Sequence, residues 1–477
     1  MRKPNNTDGN PVTPDPAAGR SLEEVHGSVQ VPEHGAGFWR QWRAFSGPAV
    51  LVSVGYMDPG NWGTDLQGGA QFKYGLLWVV GLASLMAIFM QVIAARLGVV
   101  MGKDLAQCCR DWAPAWTRWP NWLFCEAAIG ACDLAEALGS AVALHLLFPR
   151  IDLFWAVIIT GFDVLLLLGL QRFGMRSIEA IVLLLVATIS VCYFIEIFVL
   201  PPVPPDFTEM GLALVSPNLR KAGMLYVAIG IIGATVMPHN LYLHSALVQT
   251  RKLAKDEQSV RRAIQFNTID STVALTIAFF VNAAIMVLAA MVFYQPLHTP
   301  QALADGYAMV AGTKISPDSD WICDAYLTLA PLLNKAAASI LFAVALFASG
   351  QSSTITGTLA GQVVMEGFMH WRITPWVRRV ITRALAILPA VVIIGLRGER
   401  SSVTDLLTLS QVVLALQLPF AMFPLLLFAS SRKKMGRWKL GWFLLIAGWT
   451  SALVITVLDI YGLPESLKQA WAVVTGG

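Results

Sequence analysis

The chain has 477 residues, of which 56% are hydrophobic and 13% are charged, and its mean hydropathy is +0.61. This composition excludes an ordinary soluble globular protein, and the apolar residues come in blocks of about 20, long enough for helices that cross a bilayer. The net charge of +4 does not indicate nucleic acid as a partner, because in a membrane protein the placement of Lys and Arg matters more than their sum. The six cysteines form no CxxC pair, which favours buried free thiols over disulfides.

In chain order the sequence predicts a tail, eleven membrane spans and a second tail. Residues 1–36 are rich in Pro, Gly and charge and lack an apolar core, so we expect a disordered cytoplasmic tail and not a signal peptide. The apolar segments predict an all-α integral membrane protein with 11 transmembrane helices, at about 46–67, 76–100, 121–147, 151–171, 177–200, 223–248, 264–295, 331–357, 376–396, 405–430 and 437–461.

The basic residues predict the orientation of these spans. With the N-terminus inside, the cytoplasmic segments hold 25 of the 34 Lys and Arg residues, and the outside segments hold the other 9. This asymmetry follows the positive-inside rule, and an odd number of spans then leaves the tail at 462–477 outside. The outer loop at 296–330 has no N-x-Ser/Thr sequon, which favours a bacterial inner membrane.

Spans one and six are interrupted in the middle by the same pattern, X-Pro-X-Asn. Residues 58–61 read Asp-Pro-Gly-Asn, and residues 237–240 read Met-Pro-His-Asn. Proline lacks an N–H and strains the preceding turn, so a helix that carries it in mid-span tends to open there. Proline kinks are common in membrane helices, and chance coincidence is therefore the competing interpretation.

The positions of the two breaks predict an internal repeat. Repeat 1 is at 45–200 (helices 1–5), an extracellular link follows at 201–222, and repeat 2 is at 223–430 (helices 6–10), before helix 11 at 437–461. A repeat of five helices crosses the membrane an odd number of times, so the second copy is inverted. Inverted repeats with broken helices are typical of secondary transporters, which hold their substrate between the breaks.

The side chains at the breaks indicate a metal-ion site. Asp58 would be costly to bury in a bilayer without compensation, and Asn61 lies one turn further on. The alternative role for Asp58 is to cap the helix that restarts after the break. Met237 holds the matching position in span six, and a thioether suits Mn²⁺, Fe²⁺, Co²⁺ or Cd²⁺ better than Ca²⁺ or Mg²⁺. Ala234, one turn earlier, is small enough for its carbonyl to approach an ion.

Acidic residues in span three form a second group of candidate functional residues. Glu126, Asp133 and Glu136 are spaced seven and three residues apart, so a helix places them along one stripe. Together with His239, whose side-chain type is able to titrate near neutral pH, and arginines at the start of span nine, they predict a proton route. The alternative is a static ion-pair network that locks span three to span nine.

These motifs resemble the two metal-site motifs of the Nramp family, the natural resistance-associated macrophage proteins, also called divalent-metal transporters or proton-dependent manganese transporters. Residues 350–354 (Gly-Gln-Ser-Ser-Thr) through 361–368 are similar to the consensus transport motif of that family, and residues 417–421 (Gln-Leu-Pro-Phe-Ala) also resemble it. The resemblance runs from about residue 40 to residue 460.

The resemblance implies a leucine-transporter-like fold with two inverted five-helix repeats and unwound helices 1 and 6. It also implies proton-coupled uptake of Mn²⁺ and Fe²⁺ without a cofactor. The matching metal ligands are Asp58, Asn61, the Ala234 carbonyl, the Met237 sulfur and, in the occluded state, Gln411. The matching proton pathway contains Glu136, His239, Asp133, Arg378 and Arg379, with Glu126 and Arg251 at its periphery.

We therefore expect an importer of Mn²⁺ and Fe²⁺ whose partners are divalent metal ions, protons and the lipid bilayer, in a monomeric transport unit. The alternatives are a magnesium or amino-acid symporter of the same architecture and a non-cycling metal channel or sensor. Met237 argues against magnesium, and Asp58 would repel the carboxylate of an amino acid. The predicted spans contain no HExxH, GxSxG or P-loop pattern, so we do not expect an enzyme or an ATP-driven pump.

Overall fold

The computed structural model describes residues 21–475, with gaps at 23–24, 33–34, 163–174, 196–204, 255, 317–318 and 333–336 and with only 377, 380–381, 384, 387–388 and 391 described between 370 and 402. The described residues form helices apart from two small two-stranded sheets and their connections. Apolar side chains from most of these helices meet in one extended core.

The helices follow one another across the whole described chain. The first half of the chain contains α1 (Phe38–Phe45), α2 (Pro48–Gly55), α3 (Pro59–Phe72), α4 (Leu77–Met101), α5 (Leu105–Trp112), α6 (Arg118–Leu147), α7 (Leu153–Gly161), α8 (Met175–Phe194) and α9 (Phe207–Leu214). The second half contains α10 (Met224–Val236), α11 (Pro238–Leu247), α12 (Glu257–Ala289), α13 (Gln295–Leu297), α14 (Pro300–Asp305), α15 (Trp321–Leu332), α16 (Ala337–Met369), α17 (Val403–Ser430), α18 (Arg432–Met435) and α19 (Trp442–Thr475). A π-helical turn, Ala290–Tyr294, continues α12, and short 3₁₀ turns occur at Ala115–Thr117, Val248–Thr250 and Gly436–Trp438.

Eight helical stretches within the described residues are long and apolar enough to cross a membrane. They coincide with the predicted spans two, three, five, six, seven, eight, ten and eleven. The predicted first span is present as the two short helices α2 and α3, because proline interrupts it. The predicted span four is described only in its first part, as α7, and the predicted span nine lies largely outside the described residues. The last helix continues to Thr475, so the expected C-terminal tail is helical over most of its length.

The N-terminal segment differs from its prediction. Residues 1–20 lie outside the described part of the chain, but the described residues between 21 and 36 include strand β1 (Val29–Gln30). This strand pairs in parallel with β2 (Arg251–Lys252), which follows span six. Composition predicted disorder for this segment because it cannot build a core of its own. The backbone pairing to β2 gives it an ordered conformation that its composition does not reveal.

The most extensive helix contacts involve spans three, eight and ten. The most extensive pairing joins α6 to α16, which are spans three and eight, and α17 packs against both α10 and α6. The two strands β3 (Ala308–Val310) and β4 (Thr313–Ile315) form a hairpin in the loop after span seven. The helices α14 and α15 flank this hairpin in the chain.

A side chain of another helix caps the start of span one. α2 begins after Gly47, which has no side chain with which to cap it. Asp270 of α12 supplies the missing acceptor: its Oδ2 receives hydrogen bonds from the backbone N–H groups of Gly47, at 3.3 Å, and Ala49, at 3.1 Å. A carboxylate at a helix N-terminus also stabilises the helix dipole. Span seven therefore fixes the position of the first half of the broken span.

Replacement of Asp270 by Ala should lower the stability of the folded protein. The two N–H groups of α2 would lose their acceptor, and bonds of this kind to a charged group contribute about 1.5–3 kcal/mol each. We expect a lower thermal unfolding temperature of the purified protein in detergent. Asp305→Ala, at an exposed helix end, is the matched control and should leave that temperature unchanged. An unchanged temperature for Asp270→Ala would mean that other contacts hold the start of α2.

Candidate metal site

The first span is broken immediately before Asp58. Tyr56 and Met57 form a turn between α2 and α3. Asp58 is the N-cap of α3, and its Oδ1 accepts a hydrogen bond of 2.8 Å from the backbone N–H of Asn61. The capping role that the sequence offered as an alternative is therefore present. It occupies one carboxylate oxygen and leaves Oδ2 for other contacts.

The sixth span is broken at Met237. This residue has φ 37° and ψ 103°, in the half of the backbone map that residues other than glycine avoid. Pro238 has no N–H, so the carbonyl of Ala234, four residues earlier, lacks the donor that it would have in a continuous helix. Met237 and Ala234 are both fully buried. The break thus contains a buried thioether and a backbone carbonyl that has lost its helical donor.

The two breaks lie against each other. A Cβ added at Gly55 would come within 3.1 Å of Met237 Sδ and would overlap the side-chain amide of Asn240, so only glycine permits this approach. A Cβ added at Gly60, on the other side of the break, would overlap the side-chain amide of Gln411 on α17. Spans one, six and ten therefore converge where the helices open.

Three amide oxygens at the breaks have no hydrogen-bond partner among the described residues, Asn240 Oδ1 and two that belong to candidate ligands. The latter two are Asn61 Oδ1 and Gln411 Oε1, on side chains that are 1% and 0% exposed. The amide nitrogen of Gln411 donates to Ser410 Oγ at 2.9 Å, which leaves its oxygen available. Buried acceptors without a partner are rare in folded proteins and call for an explanation. A cation between the breaks would provide one.

The candidate ligands form a mixed set: one carboxylate, two amide oxygens, one backbone carbonyl and one thioether. Hard oxygen donors combined with one soft sulfur suit a divalent first-row transition metal. No group of three or more His, Cys, Asp and Glu side chains able to hold a metal ion occurs among the described residues. A metal site at the breaks therefore depends on amide, carbonyl and thioether donors as well as on Asp58.

Buried polar side chains of α6 continue from the break. Glu136 is fully buried, and its Oε1 accepts a hydrogen bond of 2.7 Å from Ser353 Oγ on α16. The Sγ of Cys132 lies 3.6 Å from the same oxygen and 3.9 Å from Asp58 Oδ2. Asp58, Cys132, Glu136 and Ser353 therefore form a continuous polar path from span one through span three to span eight.

Asp133 and His239 lie beside this path. A Cβ added at Gly357 of α16 would be 3.0 Å from Glu136 Oε1 and 3.4 Å from Asp133 Oδ1, so both carboxylates border the same point of span eight. Asp133 also interacts electrostatically with His239, whose buried Nδ1 has no hydrogen-bond partner among the described residues. The structure thus brings these two acids and the imidazole together next to the break.

Comparison with known proteins identifies the family. Residues 49–465 match the family model described as natural resistance-associated macrophage protein-like, Nramp. The chain belongs to the Nramp family. It is similar to the divalent metal cation transporter MntH of a Nostoc species, with 49% identity over 452 residues that cover 94% of this chain and 96% of the relative. The transporter of the same name from Bradyrhizobium diazoefficiens is 48% identical over 449 residues, which cover 94% of this chain and 95% of the relative.

Solved structures of an Nramp-type transporter have the same fold. The Eremococcus coleocola manganese transporter in complex with an aromatic bis-isothiourea substituted compound matches with a TM-score of 0.81 and 38% identity, over 94% of this chain and 91% of that chain. A variant of that transporter in which a histidine is replaced by alanine matches with a TM-score of 0.82 and 38% identity, over 96% of this chain and 92% of that chain. The family contains metal transporters, and this Nramp protein is not an enzyme.

The remaining residues of the predicted proton pathway lie elsewhere in this Nramp protein. Glu126 is half-buried near the start of α6. Arg251 is buried at the end of span six, where its Nη1 forms an ion pair of 2.8 Å with Glu179 and its guanidinium also donates to the carbonyls of Ala44 and Ser46. It therefore joins spans one, five and six at one end of the protein. Arg378 and Arg379 lie outside the described residues.

A second polar chain beside the breaks was not predicted from the sequence. Tyr56 OH accepts a hydrogen bond of 2.6 Å from Gln91 Nε2, and Gln91 Oε1 lies 2.9 Å from His244 Nδ1. Tyr56 OH also donates to the carbonyl of Val236 at 3.4 Å. This Nramp protein thus has a link between both breaks and span two. No local motif in the sequence identifies His244 or its partner Gln91.

Proposed function

We propose that this Nramp protein is a proton-coupled secondary transporter that imports Mn²⁺ and Fe²⁺ across a bacterial inner membrane by alternating access. The observation that carries the proposal is the pairing of a buried carboxylate, Asp58, with a buried thioether, Met237, at two helix breaks that touch. The carboxylate neutralises one of the two charges of the ion. The thioether favours Mn²⁺ and Fe²⁺ over Mg²⁺ and Ca²⁺, which prefer oxygen ligands only.

The names of the relatives support the choice of substrate. The Nostoc and Bradyrhizobium proteins are called divalent metal cation transporters, and the Eremococcus protein is called a manganese transporter. At 48–49% identity over nearly the whole chain, we infer the same class of substrate here.

The finer architecture belongs to the proposal as well: 11 helices, two inverted five-helix repeats, a leucine-transporter-like fold, a cytoplasmic N-terminus and a monomeric transport unit.

The burial of the site supports a carrier over a channel. Asp58, Met237 and Gln411 are all 0% exposed, so the proposed site is closed to both sides in this conformation. A non-cycling channel would require a continuous route past these residues. A carrier instead opens one side at a time, and broken helices supply the joints for such a movement.

The deep burial of Asp58 also supports coupling to protons. A carboxylate in such a place stays charged only when a cation or several donors compensate it. Loss of a proton and binding of the metal ion are therefore linked at the same group. Glu136 is linked to Asp58 through Cys132, and Asp133 and His239 lie beside Glu136, so these groups offer sites for the displaced proton. Their grouping beside the break favours a proton route over a purely static ion-pair network.

Uptake of metal ions into proteoliposomes tests this function. We expect uptake of Mn²⁺ and Fe²⁺ that increases when the compartment from which the metal enters is acidic, little uptake of Mg²⁺, and exchange of labelled for unlabelled Mn²⁺. Asp58→Ala should abolish uptake while the purified protein remains folded. Near-normal uptake by that variant would refute the site, rates independent of the pH gradient would refute the coupling, and uptake without exchange would favour a channel.

Met237→Ala should change the selectivity among ions more than it changes the uptake of Mn²⁺. Because the oxygen ligands remain, we expect Mn²⁺ uptake to continue, while Ca²⁺ and Mg²⁺ compete about tenfold more strongly, equivalent to about 1.4 kcal/mol of lost discrimination. Competition of each ion against Mn²⁺ uptake gives the measurement. Met309→Ala, in the exposed part of β3, serves as the control for loss of a thioether. Unchanged discrimination in Met237→Ala would disprove the selective role of the sulfur.

A further inference from the structure

A cysteine lies between the two proposed functional regions. Cys132 is 1% exposed on α6, and its Sγ is 3.9 Å from Asp58 Oδ2 and 3.6 Å from Glu136 Oε1. It also packs in one small cluster with Met237 and Leu414. The thiol therefore borders both the proposed carboxylate ligand and the proposed thioether ligand.

The distance between Cys132 Sγ and Asp58 Oδ2 is close to that of two ligands on one ion. Metal–sulfur and metal–oxygen bonds of about 2.3 and 2.1 Å place two tetrahedral ligands about 3.6 Å apart. The observed separation of 3.9 Å requires only a small adjustment of the side chains. Two further oxygens at the breaks, Asn61 Oδ1 and Gln411 Oε1, are buried without a partner among the described residues, which independently indicates a ligand there.

We propose that Cys132 is a second sulfur ligand of the metal site and determines how the site treats soft cations. This inference rests on the proposed function. Mn²⁺ is held by the oxygen ligands and Met237, whereas Cd²⁺ and Zn²⁺ also bind the Cys132 sulfur. In that step the metal–sulfur bond forms as the S–H bond breaks, and the proton passes to the carboxylate of Glu136, whose Oε1 lies 3.6 Å from the sulfur. The added bond holds soft cations more tightly, so they act as slowly released inhibitors of Mn²⁺ uptake.

X-ray absorption at the cadmium edge tests this assignment on the purified full-length protein. We expect two sulfur neighbours for bound Cd²⁺ in the parent protein and one in Cys132→Ser, whose affinity for Cd²⁺ should fall at least about tenfold. Met237→Ala should also show one sulfur neighbour, with the charge-transfer absorption of a cadmium–thiolate bond retained. Cys125→Ser is the matched control, since this thiol is equally buried on the same helix two turns away, and it should keep both sulfur neighbours.

Two sulfur neighbours in Cys132→Ser, or only one in the parent protein, would overturn the proposal. Cys132→Ala repeats the measurement if the serine variant does not fold. Absence of Mn²⁺ uptake by the parent protein would instead refute the proposed function, and the number of sulfur neighbours would still report on Cys132.

A different part of the structure carries a second inference. The N-terminal segment lies across the ends of two spans. β1 pairs with β2 directly after span six, and the N–H of Gly27 donates to the carbonyl of Gln249 at 3.1 Å. The N–H of Leu22 donates to Glu366 Oε2 at 3.0 Å, near the end of α16, and the Leu22 side chain is only 5% exposed. One short segment thus joins the same ends of spans six and eight.

A second set of contacts lies at the same end of the protein as this segment. Arg251, which follows span six within β2, donates to the carbonyls of Ala44 and Ser46 at the start of span one and pairs with Glu179 of span five. The positive-inside rule predicts that this end faces the cytoplasm. Opening of the site towards that side would separate the ends that these contacts connect.

We infer that the described residues of this segment, 21–22 and 25–30, form a strap that holds the cytoplasmic side closed, and that β1 must leave β2 before the site opens inward. The inference rests on the proposed alternating access. The strap shifts the balance between the two orientations through contacts that exist only in the closed state. Release of the strap therefore favours the inward-open state.

Two full-length variants test the strap. Leu22→Asp places a carboxylate beside Glu366 and should detach the segment, whereas Ser28→Asp adds the same charge at an exposed position of the same segment. We expect hydrogen exchange of residues 238–252 to be several-fold faster in Leu22→Asp than in the parent protein or Ser28→Asp, and the apparent affinity for Mn²⁺ in uptake to change only in Leu22→Asp. Equal exchange and equal uptake in the two variants would overturn the inference. Absence of Mn²⁺ uptake by all three proteins would refute the proposed function, and the exchange rates would still report on the strap.

Discussion

A helix that opens inside a bilayer leaves backbone groups that water cannot reach, and the rest of this structure depends on how they are satisfied. At the first break, the carbonyl of Met57 accepts hydrogen bonds from Ser349 Oγ, at 2.5 Å, and from Trp62 Nε1, at 3.3 Å. The carbonyl of Tyr56 accepts from Asn282 Nδ2 at 2.9 Å. Spans seven and eight thus support the open turn. The proposed site can therefore keep its shape without a continuous helix.

The second break differs from the first, and the difference has a chemical consequence. Pro238 leaves the Ala234 carbonyl without a helical donor, and Met237 holds a backbone conformation that costs about 1–3 kcal/mol. The Met237 sulfur accepts a hydrogen bond of 3.3 Å from Asn240 Nδ2. Strain of this kind persists where the surroundings fix it. Here it holds a soft donor against the first break, where an ion between the breaks would use it.

The sequence was sufficient to locate both breaks, because proline acts locally and the repeated X-Pro-X-Asn pattern reports it directly. It also identified Asp58 and Met237 as the residues that differ between the halves. The approach of Gln411 to Gly60 and the contacts of Cys132 depend on how spans three and ten pack, and no spacing within one segment encodes them. Cys132 was therefore predicted only as a buried thiol. The N-terminal strand was missed for a related reason, since its partner β2 lies more than 200 residues away.

The cap and the proposed ligand at Asp58 are compatible functions of one carboxylate. The bond from the Asn61 N–H fixes Oδ1 and so sets the direction of Oδ2, which faces Cys132. A free aspartate in a cavity would lose rotamer freedom on binding an ion, whereas a capped one has already lost it. The same bond ties the carboxylate to the first turn of α3, so a movement of that helix carries the ligand with it. The cap thereby connects the position of Asp58 to the opening of span one, which is the connection that an alternating-access carrier requires.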